Sequence, residues 1–346
     1  MQALILAGGK GTRLRPLTVY TPKPVVPLIN RPFLLYQIEI LQRAHIKDIT
    51  LSLSYQPDKI KQQLGYTLDN GVNLRYITEP SPMGTGGAYK YAAEQIRETT
   101  VVFNGDILTD ANISEIVKFH KEKKAQATIV LTPVENPSAY GLVETDEQNR
   151  VLRFLEKPKP EELKDLTTKN INAGIYILEP EVLDIIPEGE NYSFEYGVFP
   201  DLLKHQKTFY AYILKDKYWR DIGNPDSYLN AHHDFLNNQI KGFKIKRQND
   251  SEIATAAFID KNSVIGANCI IKPNAKIINS VIGEGVHIEE KAIIENSVIW
   301  AHTRIAGSAE IKDAVIGRGC YVGRNVSVGA GAVLGDKTSL TDYTKV

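Results

Sequence analysis

Glycines and cations lie close together near the start of the chain. The stretch Gly8–Gly11 holds three glycines directly after an apolar run, and Arg13 and Lys23 follow it. Glycine lets backbone N–H groups approach phosphate oxygens, and arginine or lysine can donate charge-assisted hydrogen bonds to the same oxygens. The segment therefore predicts a binding site for a nucleoside triphosphate.

Two widespread phosphate loops do not fit this segment. A Walker loop would need a glycine at Leu4 and a serine or threonine at Gly11. A dinucleotide-binding fingerprint would need a glycine at Leu14 and an acidic residue at the end of the second strand, where residues 52–55 have none. For this segment alone, an ordinary glycine-rich turn between a strand and a helix stays open as the alternative.

Two aspartates add the chemistry of a hard metal ion. Asp106 follows the apolar run 101–103, and Asp221 precedes Ile222-Gly223 more than a hundred residues later. Two carboxylates beside phosphates suit Mg²⁺, which takes oxygen ligands and usually keeps several waters. For either aspartate alone, a turn or a helix cap is the alternative.

Three further segments carry polar groups at expected element ends. Gly84–Gly87 should open a helix after the third strand, and bare amides at a helix start suit an anion or the edge of a nucleobase. Glu156-Lys157 ends another strand and Asn172 begins the next. Together these residues offer a cation for a second phosphate and polar groups for hydroxyls, although each alone could be a surface feature.

The composition is that of an ordinary globular chain without charge bias. A length of 346 residues suggests two domains, and 41 basic and 41 acidic residues give no electrostatic reason to expect nucleic acid or an anionic membrane as partner. The apolar run Ala3–Ala7 is too short for a signal peptide or a membrane span, so we expect a cytoplasmic protein. Cys269 and Cys320 lack disulfide or metal spacing and are expected to be small buried side chains.

The elements that must position these groups alternate between strand and helix over the first two thirds of the chain. Strands are predicted at Ala3–Leu6, Ile49–Ser54, Leu74–Thr78, Val101–Asn104 and Thr128–Leu131. Single helical faces are formed by Leu34, Leu35, Ile38, Leu41 and Ala44, and by Ile113, Ile116, Val117 and His120. Alternation of this kind indicates a parallel sheet whose ligands bind beyond the carboxyl ends of its strands. The glycines after Leu6 and the Gly105-Asp106 pair should therefore meet in space.

A different periodicity governs the end of the chain. Val-Ile pairs recur every seventeen residues, at positions 264, 281, 298 and 315, and a Val-Leu pair follows one residue late at 333. Within each unit, apolar residues recur about every six positions, which is typical of one triangular coil of a parallel β-helix. We predict a domain at 1–235, a linker at 236–255 and a β-helix domain at 256–346.

In this order, the motifs resemble those of the sugar-1-phosphate nucleotidylyltransferases, and within that family most those of the mannose-1-phosphate guanylyltransferases. The resemblance covers nearly the whole chain. Its motifs are the opening glycine loop, Pro-Lys-Pro at 22–24, Gly-Thr-Gly-Gly at 84–87, Asn-Gly-Asp at 104–106, Glu-Lys-Pro at 156–158, Asn-Ala-Gly-Ile-Tyr at 172–176 and Trp-Arg-Asp-Ile-Gly at 219–223. It implies an α/β fold with a Rossmann-like mixed, mainly parallel sheet, followed by a left-handed parallel β-helix of hexapeptide repeats.

The resemblance also implies roles for individual residues. It assigns nucleotide binding to Ala7, Gly8, Gly9, Gly11, Thr12, Arg13, Glu79, Gly84 and Thr85. It assigns the sugar phosphate to Gly141, Glu156, Lys157 and Asn172. It assigns catalysis to Arg13, Lys23, Asp106 and Asp221, with Mg²⁺ as cofactor held by the two aspartates.

Two positions bear on the choice of substrate. Glu79 stands about where thymidylyl relatives carry glutamine, and a carboxylate, which only accepts hydrogen bonds, matches the N–H donors of guanine. The alternative is an exposed residue at a strand end. Ser193–Gly197 departs from the guanylyl pattern, because relatives often carry a charged pair after the glutamate, and this leaves the sugar open.

The leading hypothesis from the sequence is an Mg²⁺-dependent transfer from GTP to mannose-1-phosphate. UTP or dTTP with glucose-1-phosphate is the nearest alternative, and a non-catalytic regulatory homologue is another. Acyl transfer through His287 or His302 in the repeats is a third, although a lone histidine there is more often a packed or solvated residue. We expect the β-helix to serve assembly into a homo-oligomer, because its open ends or faces need covering.

Overall fold

The computed structural model describes residues 1–68, 71–92, 96, 98–159, 161, 168–247 and 250–346. Internal contacts divide the chain into two compact units. The sheet unit comprises Met1–Gly9 and Leu34–Trp219, and the coil unit comprises Lys10–Phe33 and Arg220–Val346. Residues 10–33 thus differ from the sequence expectation of a continuous domain at 1–235, because their packing partners lie in the C-terminal part of the chain.

Short elements make up the chain as far as residue 236. The strands are β1 (Gln2–Leu6), β2 (Pro27–Leu28), β3 (Arg31–Pro32), β4 (Asp48–Leu53), β5 (Asn73–Thr78), β6 (Thr100–Asn104), β7 (Ile107–Thr109), β8 (Ala127–Pro133), β9 (Gly141–Thr145), β10 (Val151–Glu156), β11 (Asn170–Leu178), β12 (Phe209–Ile213) and β13 (Trp219–Asp221). The α-helices are α1 (Leu34–Arg43), α2 (Pro57–Leu64), α3 (Gly84–Tyr91), α4 (Ile113–Glu122), α5 (Phe199–Lys204) and α6 (Pro225–Leu236). Single turns of 3₁₀ helix lie at Thr12–Leu14 and Lys23–Val25, a longer one lies at Pro180–Ile185, and a π-helix lies at Phe194–Val198.

The sheet unit is built on one mixed sheet, as predicted. Its order is β10-β9-β11-β6-β1-β4-β5, with β8 pairing to β11 and β12 pairing to β8. β1 runs parallel to β4 and β6, and β4 runs parallel to β5. β11 runs antiparallel to β6 and β8, and β9 runs antiparallel to β10. The parallel half therefore carries the glycine-rich turn, and the antiparallel half carries the predicted sugar-phosphate residues.

The ends of β1 and β6 meet, as the sequence predicted. The backbone N–H of Gly105 donates to the carbonyl of Leu6 at 2.9 Å. A Cβ atom at Gly105 would lie 2.6 Å from that same oxygen, so only glycine allows the two chain segments to approach this closely. Gln37 of α1 fixes the other side of the turn, because its Nε2 donates to the carbonyls of Asn104 and Ile107 at 2.9 and 2.8 Å.

An aromatic cluster holds the segment before α5 against the sheet. The rings of Tyr176, Phe194 and Phe199 lie 5.0 to 5.5 Å apart and are fully buried. Aromatic pairs at such separations stabilise a core beyond their buried area. The cluster places Glu195, the neighbour of Phe194, beside β11.

The coil unit ends in a parallel β-helix with three sheets. The first sheet contains β14 (Glu252–Ile253), β17 (Ile270–Ile271), β20 (His287–Ile288), β23 (Arg304–Ile305), β26 (Tyr321–Val322) and β29 (Ser339–Leu340). The second contains β15 (Phe258–Ile259), β18 (Lys276–Ile278), β21 (Ile293–Glu295), β24 (Glu310–Lys312) and β27 (Ser327–Val328). The third contains β16 (Val264–Ile265), β19 (Val281–Ile282), β22 (Val298–Ile299), β25 (Val315–Ile316) and β28 (Val333–Leu334).

The third sheet contains the Val-Ile pairs whose recurrence indicated the repeat. This confirms the predicted parallel β-helix. β14 falls inside the stretch 236–255 that the sequence suggested as a linker, so the first coil begins earlier than residue 256, and residues 248–249 of that stretch lie outside the described residues. Cys269 and Cys320 are buried in the β-helix core, as predicted, and burial raises the pKa of both thiols.

Candidate active site

Glu79 lies against the start of the glycine-rich turn. Its carboxylate Oε1 accepts a hydrogen bond from the hydroxyl of Ser52 at 2.9 Å, and its Oε2 lies 3.4 Å from the backbone N–H of Met83. The residue is only 9% exposed, so the alternative of a solvent-facing strand end is wrong. The same carboxylate lies beside Gly8, where a Cβ atom would come within 2.9 Å of Oε1.

Gly8 and Gly9 are glycines for different reasons. At Gly8, a side chain would collide with Glu79 and with Ser54, whose hydroxyl donates to the Gly8 carbonyl. At Gly9, no described heavy atom lies within 4 Å of the place where a Cβ atom would stand, and the backbone does not need a positive φ. The fold therefore explains the first glycine but not the second, and Gly9 leaves open space next to Ala7 and Gly8.

The start of α3 packs tightly on residues 190–193. A Cβ atom at Gly84 would stand 2.6 Å from the carbonyl oxygen of Tyr192, and φ of Gly84 is +71°. The hydroxyl of Thr85 has two hydrogen-bond partners: it donates to Oε2 of Glu195 at 3.1 Å and accepts from the backbone N–H of Phe194 at 2.8 Å. The glycines of this helix start allow close packing, and Thr85 connects it to a carboxylate.

Tyr176 joins the ends of β6 and β11. Its buried hydroxyl accepts hydrogen bonds from the side-chain amides of Asn172 at 2.9 Å and Asn104 at 3.3 Å. Burial raises the pKa of Tyr176 well above its usual value, and the charges of Glu195 and Asp106 add to the rise. The phenol thus connects Asn104 at the end of β6 with Asn172 near the start of β11.

Glu156 and Lys157 lie at the end of β10, opposite Gly141. The Lys157 ammonium is 3.6 Å from Oε1 of Glu156, and Gly141 pairs with Glu156 across the strands. A Cβ atom at Gly141 would lie 2.7 Å from Oε2 of Glu156, so glycine leaves room for this carboxylate. Burial and then the charge of Glu195 raise the pKa of Glu156, while Lys157 lowers it. A carboxylate and a cation therefore lie side by side at the end of β10.

Arg13 and Asp221 face each other in the coil unit. The guanidinium Nη2 of Arg13 is 3.9 Å from Oδ2 of Asp221, and 66% of the arginine side chain is exposed. A Cβ atom at Gly223 would lie 2.9 Å from the aspartate oxygens and 3.0 Å from Nη2, so this glycine makes room for both side chains. The contact is long and exposed, and such pairs contribute little to stability.

The rest of the 10–33 segment is more firmly held. Gly11 adopts φ of +62°, and its carbonyl accepts the hydroxyl of Thr18 at 2.7 Å. Thr12, with Arg13, begins a 3₁₀ turn on the surface. Lys23 is 9% exposed and begins the next 3₁₀ turn, and its Cβ lies 3.0 Å from where a Cβ of Gly11 would be. Packing therefore restricts the position of the Lys23 side chain, which does not lie on an exposed loop.

Among the described residues, no group of three or more histidine, cysteine, aspartate or glutamate side chains could hold a metal ion alone. Asp106 and Asp221 offer only carboxylate oxygens. A donor set of one or two carboxylates fits Mg²⁺, which completes its octahedron with waters and substrate phosphates rather than with a full protein cage.

Three residues of this region were not assigned by the sequence. Glu195 was part of an atypical segment, Ser193–Gly197, and the available signal was a carboxylate between the apolar residues Phe194 and Val198. Gly197 in that segment makes room for the ring of Tyr192. Asn104 and Tyr176 belong to the motifs at 104–106 and 172–176, but the sequence did not show that their side chains are hydrogen-bonded to each other.

No helix in the described parts of the chain has the length and apolarity needed to cross a membrane. Comparison with known proteins gives two family matches. Residues 2–238 match the family described as "Nucleotidyl transferase", and residues 243–346 match the "EIF2B subunit epsilon LbH domain".

Curated relatives span both matched regions. The chain is 36% identical to the mannose-1-phosphate guanylyltransferase of Mycobacterium tuberculosis, over 84% of this chain and 81% of that protein. It is 38% identical to the mannose-1-phosphate guanyltransferase of Saccharomyces cerevisiae, over 80% and 73%. It is 32% identical to the probable mannose-1-phosphate guanylyltransferase 2 of Arabidopsis thaliana, over 100% and 99%.

Proposed function

The chain belongs to the nucleotidyl transferase family, and on that premise we propose that it makes GDP-mannose and pyrophosphate from GTP and mannose-1-phosphate. The names of its relatives support this choice of substrates. The single observation in the structure that carries the proposal is Gly9. No described atom lies within 4 Å of the place where its Cβ would be, so packing does not explain a glycine here. The open space lies at the turn where a phosphate would contact backbone N–H groups.

The reaction is an in-line displacement at phosphorus. An oxygen of mannose-1-phosphate attacks the α-phosphorus of GTP, a new P–O bond forms, and the bond to the β-phosphate oxygen breaks to release pyrophosphate. No covalent nucleophile on the protein is needed. The protein contributes positioning and neutralisation of charge, which account for most of the catalysis in such transfers.

Residues of the glycine-rich turn and the 10–33 segment bind the triphosphate in this proposal. Backbone N–H groups of Gly8, Gly9, Gly11 and Thr12 bind phosphate oxygens. Ala7 lines the same turn, although its own N–H donates to the carbonyl of Ser52 at 2.9 Å. The exposed guanidinium of Arg13 neutralises the departing pyrophosphate, and its long contact with Asp221 leaves it able to turn to a ligand. Lys23 binds phosphate near the reacting centre, and its burial limits the positions that its ammonium can take.

The cofactor of the proposed reaction is Mg²⁺, held by Asp106 and Asp221 together with substrate oxygens. When bound, this ion neutralises phosphate charge and favours departure of pyrophosphate. The two aspartates supply oxygen ligands only, which suits Mg²⁺ better than zinc or copper.

Glu79 reads the base in this proposal. Its two carboxylate oxygens accept hydrogen bonds, and guanine presents the N1–H and N2–H₂ donors that a carboxylate needs. Ser52 occupies one site on Oε1, which orients the carboxylate and leaves further lone pairs for the base. Gly84 and Thr85 contribute the helix start beside it, with backbone N–H groups available to the nucleotide.

The mannose-1-phosphate lies at the antiparallel half of the sheet. Lys157 binds its phosphate, and Gly141, Glu156 and Asn172 contact the sugar hydroxyls. Glu195 is a further carboxylate whose charge raises the pKa of both Glu156 and Tyr176, and its Oε2 accepts the hydroxyls of Thr85 and Ser193 at 3.1 and 2.7 Å. A pair of carboxylates suits a ligand with several hydroxyl donors.

Pyrophosphate release by the purified protein with Mg²⁺ tests the proposal, with GTP, UTP, dTTP, ATP and CTP each offered alongside mannose-1-phosphate or glucose-1-phosphate. We expect release confined to GTP with mannose-1-phosphate, and its loss in Arg13→Ala excludes a contaminating enzyme. A preference for UTP or dTTP with glucose-1-phosphate would overturn the substrates and keep the mechanism. Absence of release with every pair would favour a regulatory homologue.

We further propose that the chain forms a homo-oligomer through its β-helix. Large apolar side chains are exposed on the first coil, at Ile253 and Phe258, and on the last, at Tyr343 and Val346. Exposed strand edges and apolar ends are usually covered by another chain. Sedimentation of the protein and of Phe258→Glu tests this, since a monomeric mass for the wild type would contradict it.

A further inference from the structure

The segment that carries Arg13 and Lys23 is packed in the coil unit. Residues Lys10–Phe33 group with Arg220–Val346 by their contacts, although β1 and the first glycines group with the sheet. The chain therefore leaves the sheet unit after Gly9, forms the phosphate-binding segment on the coil unit, and returns at Leu34. Contacts along the segment explain this division.

A hairpin follows Lys23 and is attached at its tip to the β-helix. β2 and β3 pair antiparallel across a two-residue turn, Ile29-Asn30, in which φ is +47° and +58°. Positive φ at both positions is the mark of a tight hairpin turn, and asparagine tolerates it well. The side-chain Nδ2 of Asn30 donates to the carbonyl of Ile282 in β19 at 2.7 Å.

The base of the hairpin is attached through a buried relay. The hydroxyl of Tyr228 in α6 donates to the carbonyl of Pro27, and it accepts the indole N–H of Trp300 at 2.9 Å. Both aromatic side chains are buried, and their rings meet edge to face at 6.3 Å. Because buried polar groups are costly to leave unpaired, this chain of hydrogen bonds specifies one position for Pro27.

The other arm of the segment also contacts the coils. Pro16 lies beside Gly335, where a Cβ atom would be 3.1 Å from the proline Cβ. The ammonium of Lys337 lies 5.8 Å from the centroid of the Tyr20 ring. A cation–π contact at such an exposed site is weak, so the hairpin attachment is the stronger of the two.

We propose that the β-helix positions the phosphate-binding segment, and that Tyr228, Trp300 and Asn30 act as positioning residues for the nucleoside triphosphate through β2, β3 and Lys23. The inference rests on the proposed function for the identity of the ligand. A displacement of about 1 Å in a group that orients a reacting phosphate can cost roughly a hundredfold in rate, so a loosened hairpin lowers kcat/KM for GTP before it unfolds the protein. The coils then have a part in the reaction besides any part in assembly.

Two variants test this without removing a residue that touches substrate. Tyr228→Phe deletes one oxygen and leaves the ring. Asn30→Gly allows the positive φ and removes the side chain together with its donor. For both we expect kcat/KM for GTP to fall about tenfold through a higher KM for GTP, with KM for mannose-1-phosphate unchanged. A higher KM for GTP with an unchanged KM for mannose-1-phosphate distinguishes a loss of positioning from a general loss of folded enzyme.

Ser297→Ala is the matched control. The hydroxyl of Ser297 donates to the carbonyl of Glu295 at 2.6 Å and accepts the N–H of Ala314 at 3.1 Å, so its hydrogen bonds stay within the coils. We expect this variant to unfold at a lower temperature and to keep the wild-type KM for GTP. If the Tyr228 and Asn30 variants alter KM for GTP no more than Ser297→Ala does, the proposal is wrong.

Hydrogen exchange gives a readout that needs no activity. In Tyr228→Phe, backbone amides of residues 10–33 should exchange about tenfold faster than in the wild type, whereas in Ser297→Ala they should not. Unchanged exchange in that segment overturns the inference even if no substrate pair is turned over. Failure of the wild type to release pyrophosphate, with faster exchange in Tyr228→Phe, would instead count against the proposed function alone.

Discussion

Replacement of Glu79 by glutamine tests the proposed reading of the base. The glutamine has nearly the same shape, and its amide oxygen can still accept the Ser52 hydroxyl that Oε1 accepts at 2.9 Å. The other carboxylate oxygen, which lies 3.4 Å from the backbone N–H of Met83, becomes an N–H₂ group that accepts neither from this N–H nor from the donors of guanine. Hydrogen bonds to a charged group contribute about 1.5–3 kcal/mol and neutral ones about 0.5–1.5 kcal/mol, so the loss is about 1–2 kcal/mol.

Such a loss corresponds to a fall of roughly 5- to 30-fold in kcat/KM for GTP. Uracil presents carbonyl acceptors that the new N–H₂ group can reach, so kcat/KM for UTP should rise or stay level. Pyrophosphate release with each nucleotide gives the ratio of the two constants, which is insensitive to the amount of folded protein. Glu122→Gln is the control, because that side chain is 63% exposed on α4 and pairs with Lys118. A GTP-to-UTP ratio within about twofold of the wild type in Glu79→Gln would refute the reasoning.

Four other outcomes follow from the geometry. Gly9→Ala should leave the unfolding temperature unchanged, because no described atom lies within 4 Å of the new methyl group, yet should raise KM for GTP; an unchanged KM would show that the space is not used by phosphate. Asp221→Asn should keep the fold and lose Mg²⁺-dependent turnover, which titration of the ion against pyrophosphate release would measure. Gly84→Ala should destabilise the protein more than Gly189→Ala in urea unfolding, because both have positive φ but only the first methyl group would meet backbone, 2.6 Å from a carbonyl oxygen. Burial lowers the pKa of His232 from 6.5 to about 3, so between these pH values the unfolded chain binds a proton that the folded protein does not. The free energy of unfolding therefore falls as the pH falls. His232→Leu should reduce this pH dependence, which thermal unfolding at pH 7 and pH 4.5 would measure.

Local sequence patterns predicted the elements well, because their signals depend on spacing alone. Short apolar runs gave β1, β4, β6 and β8, because a strand inside a sheet that is covered on both faces buries consecutive residues. The seventeen-residue recurrence placed the strands of the third β-helix sheet, because each coil buries the same positions against its neighbours. Convergence of Leu6 and Gly105 followed from the rule for parallel sheets and is confirmed by a hydrogen bond.

Contacts between distant residues could not be read from spacing. Burial of Glu79 depends on Ser52 and Gly8, which belong to other strands and turns. Glu195 meets Thr85 of α3 because an aromatic core, which includes Phe194 and Tyr176, fixes the π-helical segment beside β11. No local periodicity encodes which side chain meets which across such a core.

The sequence by itself determined the family of the protein, since the nucleotidyl transferase motifs and the coil repeat can be recognised from residue types and intervals. The tertiary structure decided how those groups are held. Two glycines of the same motif proved different, because a Cβ atom at Gly8 would crowd the side chains of Glu79 and Ser54, whereas one at Gly9 would meet no described atom within 4 Å. Residues 10–33, which follow β1 directly, proved to belong with the coils, because the hydrogen bonds of Asn30 and Tyr228 connect them to side chains and carbonyls that lie far along the chain.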